Sequence, residues 1–108
     1  MATAPTSASV RERLDEVIAA MQREGAWDMP RPADDAFVDM GPFGQETMAF
    51  VQWLRWVFVP SVERLVASEG PWPSQSDVSV RATREGDTDP VVSALVPALA
   101  HFDALFEA

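Results

Sequence analysis

Phe-Val-Gln-Trp-Leu-Arg-Trp-Val-Phe-Val-Pro, residues 50–60, is the stretch of this chain that decides its fold. On a helical wheel its apolar side chains cover roughly 220° of the circle, and only Gln52 and Arg55 interrupt them. Because such a helix must be in contact on several sides, we predict that it is the central helix of the protein. Pro60 lacks a backbone N–H and its ring clashes with the preceding turn, so a kink or break is expected there.

Further helix signals flank this stretch on both sides. Upstream, Ser9 and Glu12 form a capping-box pattern and Gly25 is a stop signal, so a first helix is predicted between them. Downstream, Asp89-Pro90 combines an N-cap with a proline at the first helical position and predicts a last helix that runs to the C-terminus. Apolar side chains recur at helical spacing in both, at Val10, Leu14, Val17, Ile18 and Met21 and at Val92, Leu95, Val96, Leu99, Phe102 and Phe106.

The remaining segments are connections and one short element. The central helix should begin near residues 45–47 and end at Gly70-Pro71. Residues 25–45 contain aromatic and proline residues, and we expect an ordered strap with a short turn near residues 33–38. A short helix capped by Ser76 or Asp77 is predicted through residue 85, although its alternation of valines also fits a strand.

Together these signals predict an all-α fold, an irregular antiparallel bundle of about four helices. Residues 9–108 should form a single helical-bundle domain, and residues 1–8 a disordered tail. The chain has 108 residues, which suffices for one core without metals or disulfides.

The charge and composition of the chain disfavour several classes of function. The net charge is −9, and all eight cationic residues are scattered arginines, so direct binding to nucleic acid or to an anionic membrane is disfavoured. The chain has no cysteine and no apolar run of the roughly 18–20 residues that span a bilayer, and residues 1–9 are not expected to act as a secretory signal because they lack its basic and apolar regions. These features favour a cytoplasmic protein.

The block Pro42-Phe43-Gly44-Gln45-Glu46-Thr47, followed by Trp53-Leu54-Arg55-Trp56 and Pro60, resembles the pattern of the YqcC-like family of small bacterial proteins. Three other features agree with the family pattern: Trp27 followed by prolines, the Pro71-Trp-Pro73 turn and Asp103-Ala-Leu-Phe106. The resemblance therefore covers about residues 9–107. The chain departs from the family pattern at Arg55, where Gln is usual, and at Glu46, where Asp is frequent.

The resemblance implies a small helical bundle whose molecular function is not established. Because family members are often encoded beside tRNA pseudouridine synthase C, or carry its name, it also implies an association with that enzyme. Pseudouridine synthases use the aspartate of a Gly-Arg-Leu-Asp motif. Here Arg13-Leu14-Asp15 follows Glu12 on a predicted helix, in a chain without the large sheet of a synthase, so we interpret the match as coincidence.

No other group of residues forms a catalytic pattern, so no enzyme activity, no metal site and no cofactor are predicted. His101 is the only histidine and is expected to be an exposed surface residue. The carboxylates at 34–39 and 85–89 lack the spacing of a calcium loop. Asp103 lies at the edge of the last helix's apolar stripe, where a partly buried carboxylate needs a donor, such as an arginine, or a bond to the strap.

The candidate binding residues are aromatic, with one cation among them: Trp27, Phe43, Arg55, Trp56 and Trp72. A small domain has difficulty burying four tryptophans, and arginine beside tryptophan is a common interface anchor. We therefore hypothesise a non-catalytic interaction or accessory protein with a protein partner, such as a pseudouridine synthase, or a second copy of the chain. The alternative is a small-molecule or peptide binder with an aromatic pocket between the strap and the central helix.

Overall fold

The computed structural model describes residues 5–38 and 48–106, and these residues form helices joined by turns and loops. The α-helical segments are α1 (Ser7–Arg23), α2 (Phe50–Trp53), α3 (Val59–Ser68), α4 (Val78–Glu85) and α5 (Pro90–Ala104). A π-helical stretch, Leu54–Phe58, joins α2 to α3, so residues 50–68 form one continuous rod, called the central helix below. The described residues contain four helical rods and no strand, which confirms the predicted all-α bundle.

The N-cap of the first helix lies three residues before the predicted one. Thr6, not Ser9, is the N-cap: its hydroxyl accepts from the Ser9 N–H at 3.0 Å, and the Ser9 hydroxyl accepts from the Thr6 N–H at 3.0 Å. Ser7 and Ala8, which the prediction assigned to the tail, therefore belong to α1. The predicted end is confirmed, because Gly25 has a φ of +75° and follows the last helical residue, Arg23, by two positions.

The start of the central helix also differs from the prediction. Residues 45–47 lie outside the described part of the chain, and the helix begins at Phe50 after an extended Ala49. The side chain of Gln52 decides this boundary, because its Oε1 accepts the Ala49 N–H at 3.1 Å. The helix ends at Ser68, next to the predicted Gly70-Pro71 stop.

Pro60 does not break the central helix, which continues for eight residues beyond it. The irregularity lies immediately upstream instead, where the Val59 N–H bonds the Leu54 carbonyl across a π-helical turn. A proline ring clashes with the carbonyl four residues before it, here that of Trp56, and a wider turn at that point relieves the overlap. Arg55 and Trp56 both lie in this π-helical turn.

The core lies between α1, the central helix and α5. Leu14, Leu54 and Leu99, one from each of these rods, are fully buried. A chain of aromatic contacts crosses the core, with ring centroids 5.0–5.9 Å apart, through Phe50, Trp53, Phe58, Phe102 and Phe106. Trp53 is thus a core residue, and burying such aromatic rings contributes most of the stabilisation that a small domain can obtain.

The short fourth rod is a helix, α4, which settles the ambiguity between helix and strand. Asp77 occupies its N-cap position, but its side chain makes no capping bond. The capping group is Asp103 of α5, whose carboxylate accepts from the N–H groups of Val78 at 3.2 Å and Ser79 at 2.7 Å and from the Ser76 hydroxyl at 2.5 Å. The expected arginine donor or bond to the strap is therefore replaced by the start of α4.

Candidate functional site

The strap lies along one face of the central helix and is bonded to it by three side chains. The described part of the strap, residues 25–38, contains the predicted short turn as a 3₁₀ helix at Asp34–Phe37. Gln52, Arg55 and Trp56 are spaced to lie on one face of the helix. They donate to the carbonyls of Pro30 at 3.2 Å, Trp27 at 3.1 Å and Met29 at 3.0 Å, respectively.

Arg55 is the centre of this arrangement. Its guanidinium carbon lies 3.9 Å from the centre of the Trp27 ring and 4.4 Å from that of Trp56. These distances are well within the range of cation–π attraction, which is stronger when the cation is partly withdrawn from water. The Nε–H bond to the Trp27 carbonyl adds a directional restraint. The orientation of the guanidinium is therefore fixed by two rings and one hydrogen bond.

Three of the five predicted site residues come together here: Trp27, Arg55 and Trp56. Trp72 follows the other end of the central helix, beyond Ser68, and packs partly buried against the core. Phe43 lies outside the described residues. The Arg55 guanidinium itself lies over both indole rings, in the region where the predicted aromatic pocket would open.

Gln52 belongs to this site and was not among the predicted site residues. A signal for it exists in the sequence, because Gln52 and Arg55 are the two polar residues in the otherwise apolar stretch 50–59. A polar group in such a position needs a hydrogen-bond partner. The partners are main-chain carbonyls of the strap, and no sequence pattern identifies a carbonyl as an acceptor.

The arginines differ in whether a carboxylate lies beside them. Among residues 5–38 and 48–106, five of the eight have a carboxylate within 4.0 Å: Arg11, Arg13, Arg23, Arg31 and Arg81. Arg11 and Asp15 form an ion pair at 2.6 Å along α1, and the hydrogen bond in this pair raises the pKa of Arg11 above its usual value. Within residues 5–38 and 48–106, Arg55 has aromatic and carbonyl partners but no carboxylate partner.

His101 is exposed, as predicted, but it is not without a partner. Its Nδ1 lies 2.7 Å from Oε1 of Glu16, so the pair links α5 to α1 across the surface. The hydrogen bond from His101 is the main reason that the pKa of Glu16 lies below its ordinary value. Within the part of the chain that the structure describes, no three His, Asp or Glu side chains are grouped as metal ligands would be.

Comparison with known proteins shows the family. The family model DUF446, described as tRNA pseudouridine synthase C, matches residues 9–105. The chain therefore belongs to this family, and it is similar to the uncharacterized protein YqcC of Escherichia coli, with 31% identity over 90% of both chains. The predicted resemblance to the YqcC-like family is thus confirmed. No solved structure matches the chain significantly.

Two further relatives match over shorter stretches. An uncharacterized protein of Haemophilus influenzae is 32% identical over 64% of this chain and 65% of its own length. A Pectobacterium carotovorum protein named tRNA pseudouridine synthase C is 35% identical over 56% of this chain, but the match spans only 16% of that protein. Among the described helices, none has the length and apolar character needed to cross a membrane.

Proposed function

We propose that this protein is a non-catalytic accessory protein that binds a tRNA-modifying enzyme of the pseudouridine synthase class. The observation that carries the proposal is the Pectobacterium match, where a segment similar to this chain is a small part of a longer protein named tRNA pseudouridine synthase C. In the Pectobacterium protein the similar segment shares a chain with the rest of the named enzyme, whereas we propose that here it is a separate protein. A separate protein of this kind is expected to bind the enzyme non-covalently.

The charge of the molecule supports a protein partner over a nucleic acid. At a net charge of −9 the chain repels phosphate backbones, whereas an enzyme that binds tRNA must present cationic surface. An acidic accessory protein is electrostatically complementary to such a surface, and this complementarity accelerates association. The enzyme would then contact the RNA, and this chain would contact the enzyme.

The absence of catalysis is part of the proposal. In the cluster of Arg55 with Trp27 and Trp56, the guanidinium bonds the strap, and none of the three side chains is a nucleophile or a general base. The His101–Glu16 pair is exposed and links α5 to α1. We assign to both groups of side chains the role of holding elements together.

The direct test is sedimentation velocity of the full chain, the pseudouridine synthase C of the same organism, and an equimolar mixture. We expect the mixture to sediment as a complex, and we expect the complex to weaken as NaCl is raised from low to high concentration. The full chain alone should not bind tRNA in the same buffer. A mixture that sediments as two independent species at tens of micromolar overturns the proposal.

The alternative, a small-molecule or peptide binder with its pocket beneath the strap, has less support. The strap is bonded to the central helix at three carbonyls, and Arg55 lies over the two tryptophans that would line the pocket. A ligand would have to displace these contacts. The proposed accessory function leaves the contacts between the strap and the central helix in place.

A further inference from the structure

Arg55 uses few of its hydrogen-bonding groups inside the described part of the chain. A guanidinium presents several N–H donors in a fixed planar fork. The Nε–H of Arg55 bonds the Trp27 carbonyl at 3.1 Å, and no hydrogen bond of the Nη groups is found among residues 5–38 and 48–106. The residue as a whole is partly buried.

The unused donors are held in a defined orientation. The guanidinium carbon lies over the rings of Trp27 and Trp56 at 3.9 and 4.4 Å. Trp56 is itself fixed, because its indole N–H bonds the Met29 carbonyl at 3.0 Å. A fork that is already oriented loses little conformational entropy when it binds, which is the main cost of recruiting a long side chain.

The chemistry of the fork and the charge of the protein define the ligand class. Arginine binds carboxylate and phosphate groups through two parallel N–H···O bonds. The net charge of −9 disfavours a polyphosphate or an RNA backbone, while a single carboxylate carries one charge and matches the fork. Arg11 and Arg31 bind carboxylates at 2.6 and 2.7 Å elsewhere in this molecule.

We propose that the outer edge of the Arg55 guanidinium, held by Trp27 and Trp56, is a binding site for a carboxylate of the partner protein. The proposal rests on the proposed function, because the accessory role supplies the partner that carries the carboxylate. It assigns to Arg55 a binding role in addition to holding the strap. The site recognises a side-chain or C-terminal carboxylate through bidentate hydrogen bonds.

The site can be tested without the partner, with acetate as the probe. Acetate is titrated against NaCl at constant ionic strength, and the side-chain ¹⁵N–¹H signals of the arginines are followed by NMR. We expect a saturable shift at Arg55 and weak, linear shifts at Arg64 and Arg84. These two are matched controls, because both are exposed and neither has a carboxylate partner within the described residues. Equal responses at all three arginines overturn the site.

Variants separate the binding role from the structural role. In Arg55→Gln the amide still donates to the Trp27 carbonyl but the fork is absent, so we expect an intact fold, judged by the indole signals, and no acetate response at the site. Arg55→Lys keeps the charge without the fork and should bind acetate more weakly than wild type. If Arg55→Lys binds acetate as tightly as wild type, the site is only a point charge and the proposal fails.

Carboxylates of the chain that lie outside the described residues, such as Asp39 and Glu46 beside the strap in sequence, are the competing occupants. If Asp39→Asn or Glu46→Gln raises the affinity for acetate, that carboxylate already occupies the site, and the partner-carboxylate proposal is wrong. With the synthase, Arg55→Gln should weaken the complex about tenfold, the loss expected for one charge-assisted hydrogen-bonded pair. A complex that forms without any dependence on Arg55 would leave the accessory function standing and remove the carboxylate site.

Discussion

Asp103 is 5% exposed, and its carboxylate is surrounded by donors from a segment 24 to 27 residues earlier in the chain. The first N–H groups of α4 have no partners within their own helix, so a carboxylate placed there satisfies them and also interacts favourably with the helix dipole. Asp89 does the same for α5 from the adjacent position, accepting from the Val91 N–H at 3.0 Å. One cap is thus local in sequence, and the other is tertiary.

Replacing Asp103 by alanine should be strongly destabilising. Three donors would lose their acceptor in a buried place, and we expect a loss of about 2–3 kcal/mol in the free energy of unfolding, measured by urea denaturation. Asp77→Ala is the matched control, because Asp77 occupies the N-cap position of the same helix but makes no capping bond, and its effect should stay within about 0.5 kcal/mol. Equal losses in the two variants would contradict the assigned capping role.

The backbone conformation of Glu69 affects the stability of the protein. It follows the last residue of the central helix with a φ of +59°, a left-handed conformation that glycine adopts at no steric cost. Glu69→Gly should therefore stabilise the protein by about 0.5–1 kcal/mol, read from the same urea titration. Glu24 ends α1 with a φ of −88°, so Glu24→Gly should give no gain, and a stabilisation there would refute the conformational explanation.

At the scale of elements, the central helix determines where the strap lies. Its buried face packs in the core through Trp53 and Phe58, while its polar interruptions, Gln52 and Arg55, bond the strap. The π-helical turn at Leu54–Phe58 contains two of the three residues that bond the strap. Such turns add one residue to a helical circuit and are frequent at functional sites.

The contact between strap and central helix can be weakened without removing an aromatic ring. Trp56→Phe keeps the ring but deletes the indole N–H that bonds the Met29 carbonyl, so we expect a loss of about 1 kcal/mol in unfolding free energy. Chymotrypsin should also cleave faster after Phe37, which lies in the strap. Trp72→Phe is the control, because Trp72 lies beyond the other end of the helix, and it should leave cleavage after Phe37 unchanged.

At the scale of the whole molecule, long-range polar contacts join helices that the core already brings together. Ser7 of α1 donates to the Val66 carbonyl at 3.2 Å, and His101 of α5 lies 2.7 Å from Glu16 of α1. The Ser7 bond is partly buried and uncharged, and the His101–Glu16 pair is exposed, so each adds little to a stability that comes from the apolar side chains between the rods. The His101–Glu16 pair makes the stability depend on pH.

Glu16 sets the sign of that dependence. Its pKa is lowered in the folded protein, chiefly by the hydrogen bond with His101, so folded Glu16 binds a proton more weakly than unfolded Glu16. The stabilisation is therefore present above the unfolded pKa, near 4.5, and is lost as the pH falls through the lower folded value. Wild type should be more stable than Glu16→Gln at pH 6, and the difference should shrink between pH 4.5 and pH 3, measured by thermal unfolding.

A neighbouring glutamate provides the control for this measurement. Glu12 is exposed on the same helix and takes no part in the ion pairs described above. Glu12→Gln removes the same charge from the same helix, so a pH-dependent loss of stability that is larger in Glu16→Gln than in Glu12→Gln assigns the effect to the pair with His101. If the Glu16→Gln difference stays constant with pH, the hydrogen bond with His101 does not shift the titration of Glu16.

Much of the fold and part of the candidate site follow from the sequence. Helical periodicity and stop signals located α1, the central helix and α5, because a rod that buries one face needs apolar residues at that spacing. The density of apolar residues in 50–60 identified the central helix, and proximity in sequence brought Arg55 and Trp56 into the site. The addition of Trp27 followed from its place in a strap too aromatic to remain in water.

Only the tertiary structure decided which polar groups meet. The sequence indicated that Asp103 needs a donor and that Gln52 and Arg55 interrupt an apolar face, but their partners are main-chain N–H and carbonyl groups of distant segments. Because nearly every residue has a main-chain N–H and a carbonyl, the pattern of side chains does not indicate which of these groups will be the partner. The buried faces of the helices can be predicted from apolar periodicity because the hydrophobic effect is nondirectional. A hydrogen bond needs two atoms at a set distance and angle, and only the folded packing provides them.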